Sequence, residues 1–231
     1  GITISPRSSV GVGAAIGVNR IANTTQSETR GTSTFNVGGK IDLQSKENST
    51  VYAIAVSAGV GKGGGAGTVG VNLIGNTTTA SLVNVNASSS AGLGAVSLSA
   101  KDDSDIYSFA GALGIGLKNW GFGAAFAWNQ IDNTVRAKIE NSKLPAVSVS
   151  VTAEMGDAEI WTLSVGAAGA KETAIAGSFS INIINNTIDA HISNNSDIDA
   201  AGAVTGKASD SSTIKSLAGQ VAISLTSNAI G

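Results

Sequence analysis

A single histidine, no cysteine and sixteen acidic residues bound the chemistry this chain can perform. A Ser-His-Asp or Cys-His centre needs an imidazole to carry the proton, so His191 would have to serve in any of them. His191 stands where earlier repeats carry Ser81 and Lys138, the pattern of an outward-facing strand residue. Asp102, Asp103 and Asp105 place oxygens close together, as a hard cation such as Ca²⁺ requires. The corresponding positions hold Lys46 with Glu47, Glu154 with Asp157, and Lys207 with Asp210, so no ligand spacing repeats. A solvated corner that discourages edge pairing is the expectation there. Polysaccharide-cleaving β-helices gather Asp, Arg or Lys in one groove, whereas Arg7, Arg20, Arg30 and Arg136 are scattered. The chain is expected to be non-catalytic, with no metal and no cofactor.

Two further features imitate sites. Turns such as GVGKGGGAG from Gly59 resemble phosphate loops, but GxxxxGK[ST] is absent and no helical pattern follows. They read as tight bends in which Gly supplies positive φ. Asn residues recur in pairs: Asn19 with Asn23, Asn72 with Asn76, Asn129 with Asn133, and Asn182 with Asn186. Their amides can bond backbone at turns or like amides in a neighbouring coil, so they are expected to stabilise the fold. Asn-x-Ser/Thr triplets at Asn23, Asn48, Asn76, Asn86 and Asn194 are formal glycosylation acceptors.

The elements that would position these residues follow from a repeat. VNRIANTT from Val18, VNLIGNTT from Val71, WNQIDNTV from Trp128 and INIINNTI from Ile181 place Asn23, Asn76, Asn133 and Asn186 at spacings of 53, 57 and 53. Ala80, Ala137 and Ala190, then Asn84, Asn141 and Asn194, keep the same phase. IDLQSKEN, VSLSAKDD, VSVTAEMGD and AVTGKASD end in a charged corner carrying Lys46, Lys101, Glu154 and Lys207. Tyr52, Tyr107 and Trp161 then open runs of small residues leading to Lys62, Lys118 and Lys171. Residues alternate with period two, Tyr52, Ile54 and Val56 against Ala53, Ala55 and Ser57, which predicts strands and an all-β chain.

Each period reads as two similar halves, turned by Asn76-Thr77-Thr78 and by Lys101-Asp102-Asp103. Two coils of roughly 27 residues per repeat, and a rod of roughly 40 Å, are expected on that division. The whole of 1–231 is read as one β-solenoid segment, with repeats near 1–45, 46–100, 101–153, 154–206 and a partial 207–231. The start, Ile2-Thr3-Ile4-Ser5, resembles the strand before the charged corner with about one strand missing, and the chain is expected to be a fragment of a larger protein.

Composition agrees. Hydrophobic residues make up 42% and aromatics only 4%, with 30 glycines, so the core must be built from small and β-branched side chains. Only Pro6 and Pro145 interrupt the supply of backbone N–H donors for a ladder. A net charge of −2 without clustered Lys and Arg argues against nucleic acid. No stretch has the length of a transmembrane helix, and the first residues lack the features of a signal peptide.

The VNxIxNxT motif, the A-x-[IL]-x-N segment and Gly/Ala-rich stretches such as SFAGALGIG from Ser108 resemble the giant repeat exoproteins of Gram-negative bacteria. The likeness is to fusobacterial leukotoxin-like and filamentous haemagglutinin-like proteins of two-partner secretion. The resemblance implies a right-handed parallel β-helix, export through an outer-membrane transporter, and a secreted or cell-surface location. It also implies a host cell surface, glycan or protein receptor as partner. End-to-end self-association into a fibre is the alternative, and an outer-membrane β-barrel a weaker one. A barrel should show a continuous apolar band with aromatic girdles. The aromatics here cluster by repeat position, and polar corners interrupt the apolar runs.

Overall fold

The computed structural model describes residues 1–5, 10–31, 34–36, 38–88, 93–226 and 228–231. These form strands and no helix, as the period-two alternation of Val, Ile and Thr with small residues dictates. Three parallel sheets run along the stack. The longest strands, Ile41–Gly61, Leu93–Gly116, Lys143–Ala170 and Val204–Ser224, pair side by side in one sheet. Val10–Ile21, Gly63–Ile74, Trp120–Ile131 and Thr173–Ile184 make the second. Thr24–Arg30, Thr77–Val83, Thr134–Glu140 and Thr187–Ser193 make the third. The chain is thus an all-β parallel solenoid.

The register assigns one coil to each repeat, not two. Asn19 pairs with Asn72, Asn72 with Asn129 and Asn129 with Asn182, so each strand meets its own counterpart in the next repeat. The expected second turn at Lys101-Asp102-Asp103 does not exist, because Leu93–Gly116 runs straight through it. Asp102 points inward while Lys101 and Asp103 are partly exposed, so the charged run is an alternating strand. With at most five layers about 4.8 Å apart, the stack is roughly 20 Å tall rather than 40 Å. Ile2–Ile4 pairs with Ala58–Val60, at the end of the long strand rather than before any corner. Lys207 leaves the Lys46, Lys101, Glu154 column, where Ser209 stands instead, and pairs with Thr152.

Each coil has two parts. In the body, the first half of the long strand faces the third sheet across a core of Leu82, Leu98, Val135, Ile139, Leu144, Val151 and Met155. In a thinner blade, the second half of the long strand faces the second sheet. Val51, Ile74, Ile106, Ile131 and Ile160 close the base of the blade where it joins the body. Beyond them the inward residues shrink toward the tip. In Trp120–Ile131 the inward series is Ile131, Asn129, Ala127, Ala125, Gly123, Gly121, and in the facing Leu93–Gly116 it is Ile106, Ser108, Ala110, Ala112, Gly114, Gly116. The blade is a wedge because its inward side chains are graded in size.

The glycines therefore serve proximity. None of the described glycines has a left-handed φ, contrary to the expectation for the Gly-rich turns. Asn84, Asn141, Asn194 and Asn195 hold that conformation instead, at φ 57°, 45°, 55° and 57°. Asn tolerates it better than other residues with a Cβ. A Cβ on Gly114 would lie 1.9 Å from the Phe122 carbonyl oxygen, and one on Gly123 would lie 2.0 Å from that of Ala167. The two blade sheets touch backbone to backbone, well inside the ~10 Å of ordinary sheet packing.

Candidate functional site

The recurring Asn residues form two internal ladders. At the first position of each pair, Asn19 Nδ2 donates to Asn72 Oδ1 (2.8 Å), Asn72 Nδ2 to Asn129 Oδ1 (2.7 Å) and Asn129 Nδ2 to Asn182 Oδ1 (2.8 Å). The facing sheet completes them: Asn72 Nδ2 also reaches Ser108 Oγ, and Asn129 Nδ2 reaches Thr162 Oγ1. At the second position the side chain caps backbone. Asn76 Oδ1 accepts from the Asn23 N–H, Asn133 Oδ1 from the Asn76 N–H and Asn186 Oδ1 from the Asn133 N–H. Asn141 Nδ2 bonds Asn84 Oδ1 at 2.8 Å, a further link between like positions. Most of these amides are engaged by the counterpart residue in an adjoining coil, whereas the Asn23 Nδ2 donates to Glu47 Oε1.

Asp102 is the buried carboxyl that sequence reasoning assigned to a solvated corner. It is 0% exposed and accepts from Ser104 Oγ (2.6 Å), Thr78 Oγ1 (3.0 Å) and Asn133 Nδ2 (3.0 Å). Burial pushes its carboxyl above the usual carboxylate range, the Ser104 and Thr78 hydrogen bonds hold it back, and the Glu47 charge adds to the rise. Glu47, one coil away in the same column, has its carboxyl lowered chiefly by Thr25, with Asn23 and Ser49 contributing. The two carboxyls act on stability with opposite sign. For Asp102 the protonated form is favoured in the fold, so its contribution is greatest below the unfolded-state value and falls as pH rises toward the raised one. For Glu47 the contribution is present above the unfolded-state value and is lost on acidification. Asp102→Asn keeps an acceptor for Asn133 and is expected to leave stability at neutral pH equal or higher. Asp102→Ala removes that acceptor and should cost about 1–3 kcal/mol. Urea midpoints measured from acid to neutral pH check both; a large loss in Asp102→Asn at neutral pH would show that the buried charge is favourable.

The remaining candidates are surface residues. Lys138 and His191 are register partners on one face of the third sheet, and His191 Nδ1 lies 2.9 Å from Asp189 Oδ1, with Nε2 3.5 Å from Glu140 Oε1. Asp103 lies within ion-pair distance of Lys101 (3.6 Å) and Lys46 (3.9 Å). Asp102 points inward and Asp103 and Asp105 outward, so the three carboxylates do not converge. Among the described residues no group of three or more His, Asp or Glu is arranged to hold a metal ion.

The blade presents two extended apolar outer faces. One outer face carries Tyr52, Ile54 and Val56, then Tyr107, Phe109 and Leu113, then Trp161, Leu163 and Val165. The other carries Val12, Ile16 and Val18, then Val69 and Val71, then Phe122, Phe126 and Trp128, then Ile175, Phe179 and Ile183. Large residues stack on their counterparts: the rings of Tyr52 and Tyr107 are 5.1 Å apart, those of Phe126 and Phe179 6.0 Å. Trp120 lies over Gly63 and Gly65 of the preceding coil. No family model, curated protein or solved structure matches the chain. Functional argument therefore rests on these surfaces and ladders. The signal for the blade was present in SFAGALGIG, where Phe109, Leu113 and Ile115 alternate with Ser108, Ala110, Ala112 and Gly114. The parity is inverted from an ordinary sheet: small residues are inside and large ones outside.

Proposed function

We propose that the chain is a non-catalytic structural segment of a large exported bacterial surface protein, of adhesin or leukotoxin type. The observation that carries this reading is the engagement of like residues coil upon coil. The Asn ladders hold the stack together and leave its side faces to meet a host cell surface, glycan or protein receptor. Export through an outer-membrane transporter, delivering the chain unfolded to the outside, belongs to the same reading and is supported by the repeat motifs alone. The test is binding of the fluorescently labelled chain to cultured host cells and to immobilised glycans. Saturable binding competed by unlabelled chain is expected. Failure on both surfaces would remove the adhesive role. End-to-end self-association is the second reading, in which a coil of one copy would pair with a coil of another as Lys143–Ala170 pairs with Val204–Ser224. Concentration-dependent filaments in electron micrographs would move the assignment to a fibre subunit.

A further inference from the structure

The blade has the chemistry of a membrane-embedded element. Between base and tip its two outer faces carry no charged residue, from Val10 to Val18, Val51 to Gly61, Gly63 to Leu73, Ile106 to Leu117, Trp120 to Trp128 and Trp161 to Ala170. Exposed large apolar residues occupy both faces, among them Ile54 (80% exposed) and Ile16 (78%). With strands about 4.8 Å apart and runs of about nine residues, each face covers on the order of 700 Å². That exceeds the few hundred Å² of apolar patch usual on a monomer.

The span and its borders have a specific pattern. From Tyr107 at the base to Gly116 at the tip the extended chain covers about 30 Å, the thickness of a bilayer's hydrocarbon core. The protein has three Trp and two Tyr, and all five sit at one end of the blade or the other. Tyr52, Tyr107, Trp161 and Trp128 ring the base, and Trp120 stands at the tip. Phe126 and Phe179, which lack a polar atom, lie in mid-span. Beyond the tip the turns carry exposed Lys62, Lys118 and Lys171 beside Glu172, and Arg20 and Lys215 lie at the base. Trp and Tyr at both borders, apolar residues between them and Lys outside is the order imposed by headgroup, hydrocarbon and headgroup. A protein partner would favour the reverse, because Trp and Tyr anchors concentrate at the centre of a protein interface.

We propose that the blade inserts into a lipid bilayer, with its Gly/Ala interior dry, its two faces against acyl chains, and its lysine-bearing tip at the far headgroups. This does not depend on the export or receptor reading. The thin interior makes it feasible, because parallel ladders use the backbone groups of every inner coil and the faces offer lipid no unpaired polar backbone. The strands at either end of the stack are covered in the same way by a further coil, of this protein or of another copy.

The test uses the whole chain with vesicles of phosphatidylcholine alone and of phosphatidylcholine mixed with phosphatidylglycerol. Flotation with both kinds is expected, with blue-shifted Trp emission quenched by brominated acyl chains. Flotation with the anionic mixture alone, without acyl-chain quenching, would mean a headgroup contact of the tip lysines and would overturn insertion. Ile16→Asp combined with Ile54→Asp puts one charge on each face at exposed positions and should lower vesicle partitioning roughly tenfold or more, with the strand signature in circular dichroism unchanged. Undiminished flotation of that variant would sink the proposal. So would sedimentation of the parent as a dimer or larger species that the variant abolishes, without flotation, since the faces would then be covered by a second copy. A second readout needs no variant: a membrane-impermeant amine reagent added outside should label Lys62, Lys118 and Lys171 less once vesicles are bound, while Lys40 and Lys46 on the body label as before. Equal labelling of all five would also overturn insertion.

Discussion

Asn133→Ala is expected to lower stability by about 3–5 kcal/mol, read as a shift of the urea midpoint, because one side chain serves three buried partners. Its Oδ1 accepts from the Asn76 N–H at 2.8 Å, and its Nδ2 donates to Asp102 Oδ1 at 3.0 Å and Ser104 Oγ at 2.9 Å. Alanine orphans a buried backbone donor and deprives a buried carboxyl of one of its donors. Each loss costs about 1–3 kcal/mol where water cannot replace the missing group. Asn186→Ala is the internal control. Asn186 also accepts from a backbone N–H and bonds Asp210 and Ser212, but it is only half-buried, and its bonds to Asp210 and Ser212 are exposed, so solvent can substitute there. Its loss should cost about 1 kcal/mol. Asn133→Asp is no rescue, since it replaces a donor to Asp102 with a second carboxylate and should be relieved only in acid. Equal losses in Asn133→Ala and Asn186→Ala would mean that burial does not set the strength of the ladder.

That ladder explains how far the sequence could be read. Spacing among Asn23, Asn76, Asn133 and Asn186 gave the period directly, because a parallel stack requires like residues to meet and identity then recurs in the chain. Alternation gave the strands for the same reason. The number of coils per period was misread because Lys101, Asp102 and Asp103 look like a turn. A charged run in a strand and a charged turn share the same composition, and what separates them is whether the middle residue has partners inside. Thr78, Ser104 and Asn133, the partners of Asp102, come from three different segments, and no local window contains them. Once Leu93–Gly116 is one strand, the polar corner that argued against a membrane element moves into the body, and the apolar run beyond Tyr107 becomes continuous. The blade's alternation was visible in SFAGALGIG, but its architecture was not, for a second reason. Small residues at alternate positions suggest a sheet packed closely on one face, but nothing local says that its partner is the next strand of the same coil.

Gly114→Val is expected to cost about 3 kcal/mol or more, above the usual range for an overpacked core, because the group in the way is backbone. A Cβ at Gly114 would meet the Phe122 carbonyl oxygen at 1.9 Å and the Gly64 carbonyl oxygen at 2.8 Å. No rotamer change relieves that contact; the two sheets must separate. Ladder hydrogen bonds tie each blade strand to its neighbours above and below, so separation at one coil spreads to the next. Gly67 supplies the comparison within the same blade, since a Cβ there meets nothing within 4 Å. Gly67→Val should change stability by no more than about 0.5 kcal/mol, and the better strand propensity of Val could make it stabilising. Trp120 reports locally because its ring rests over Gly63 and Gly65, and its emission should shift in Gly114→Val but not in Gly67→Val. Equal effects at the two glycines would show that strand propensity, rather than contact between the sheets, governs the blade. The same contrast bears on lipid insertion: opening the wedge lets water into the interior lined by Ser108 and Asn129, so Gly114→Val should also lose vesicle flotation while Gly67→Val keeps it.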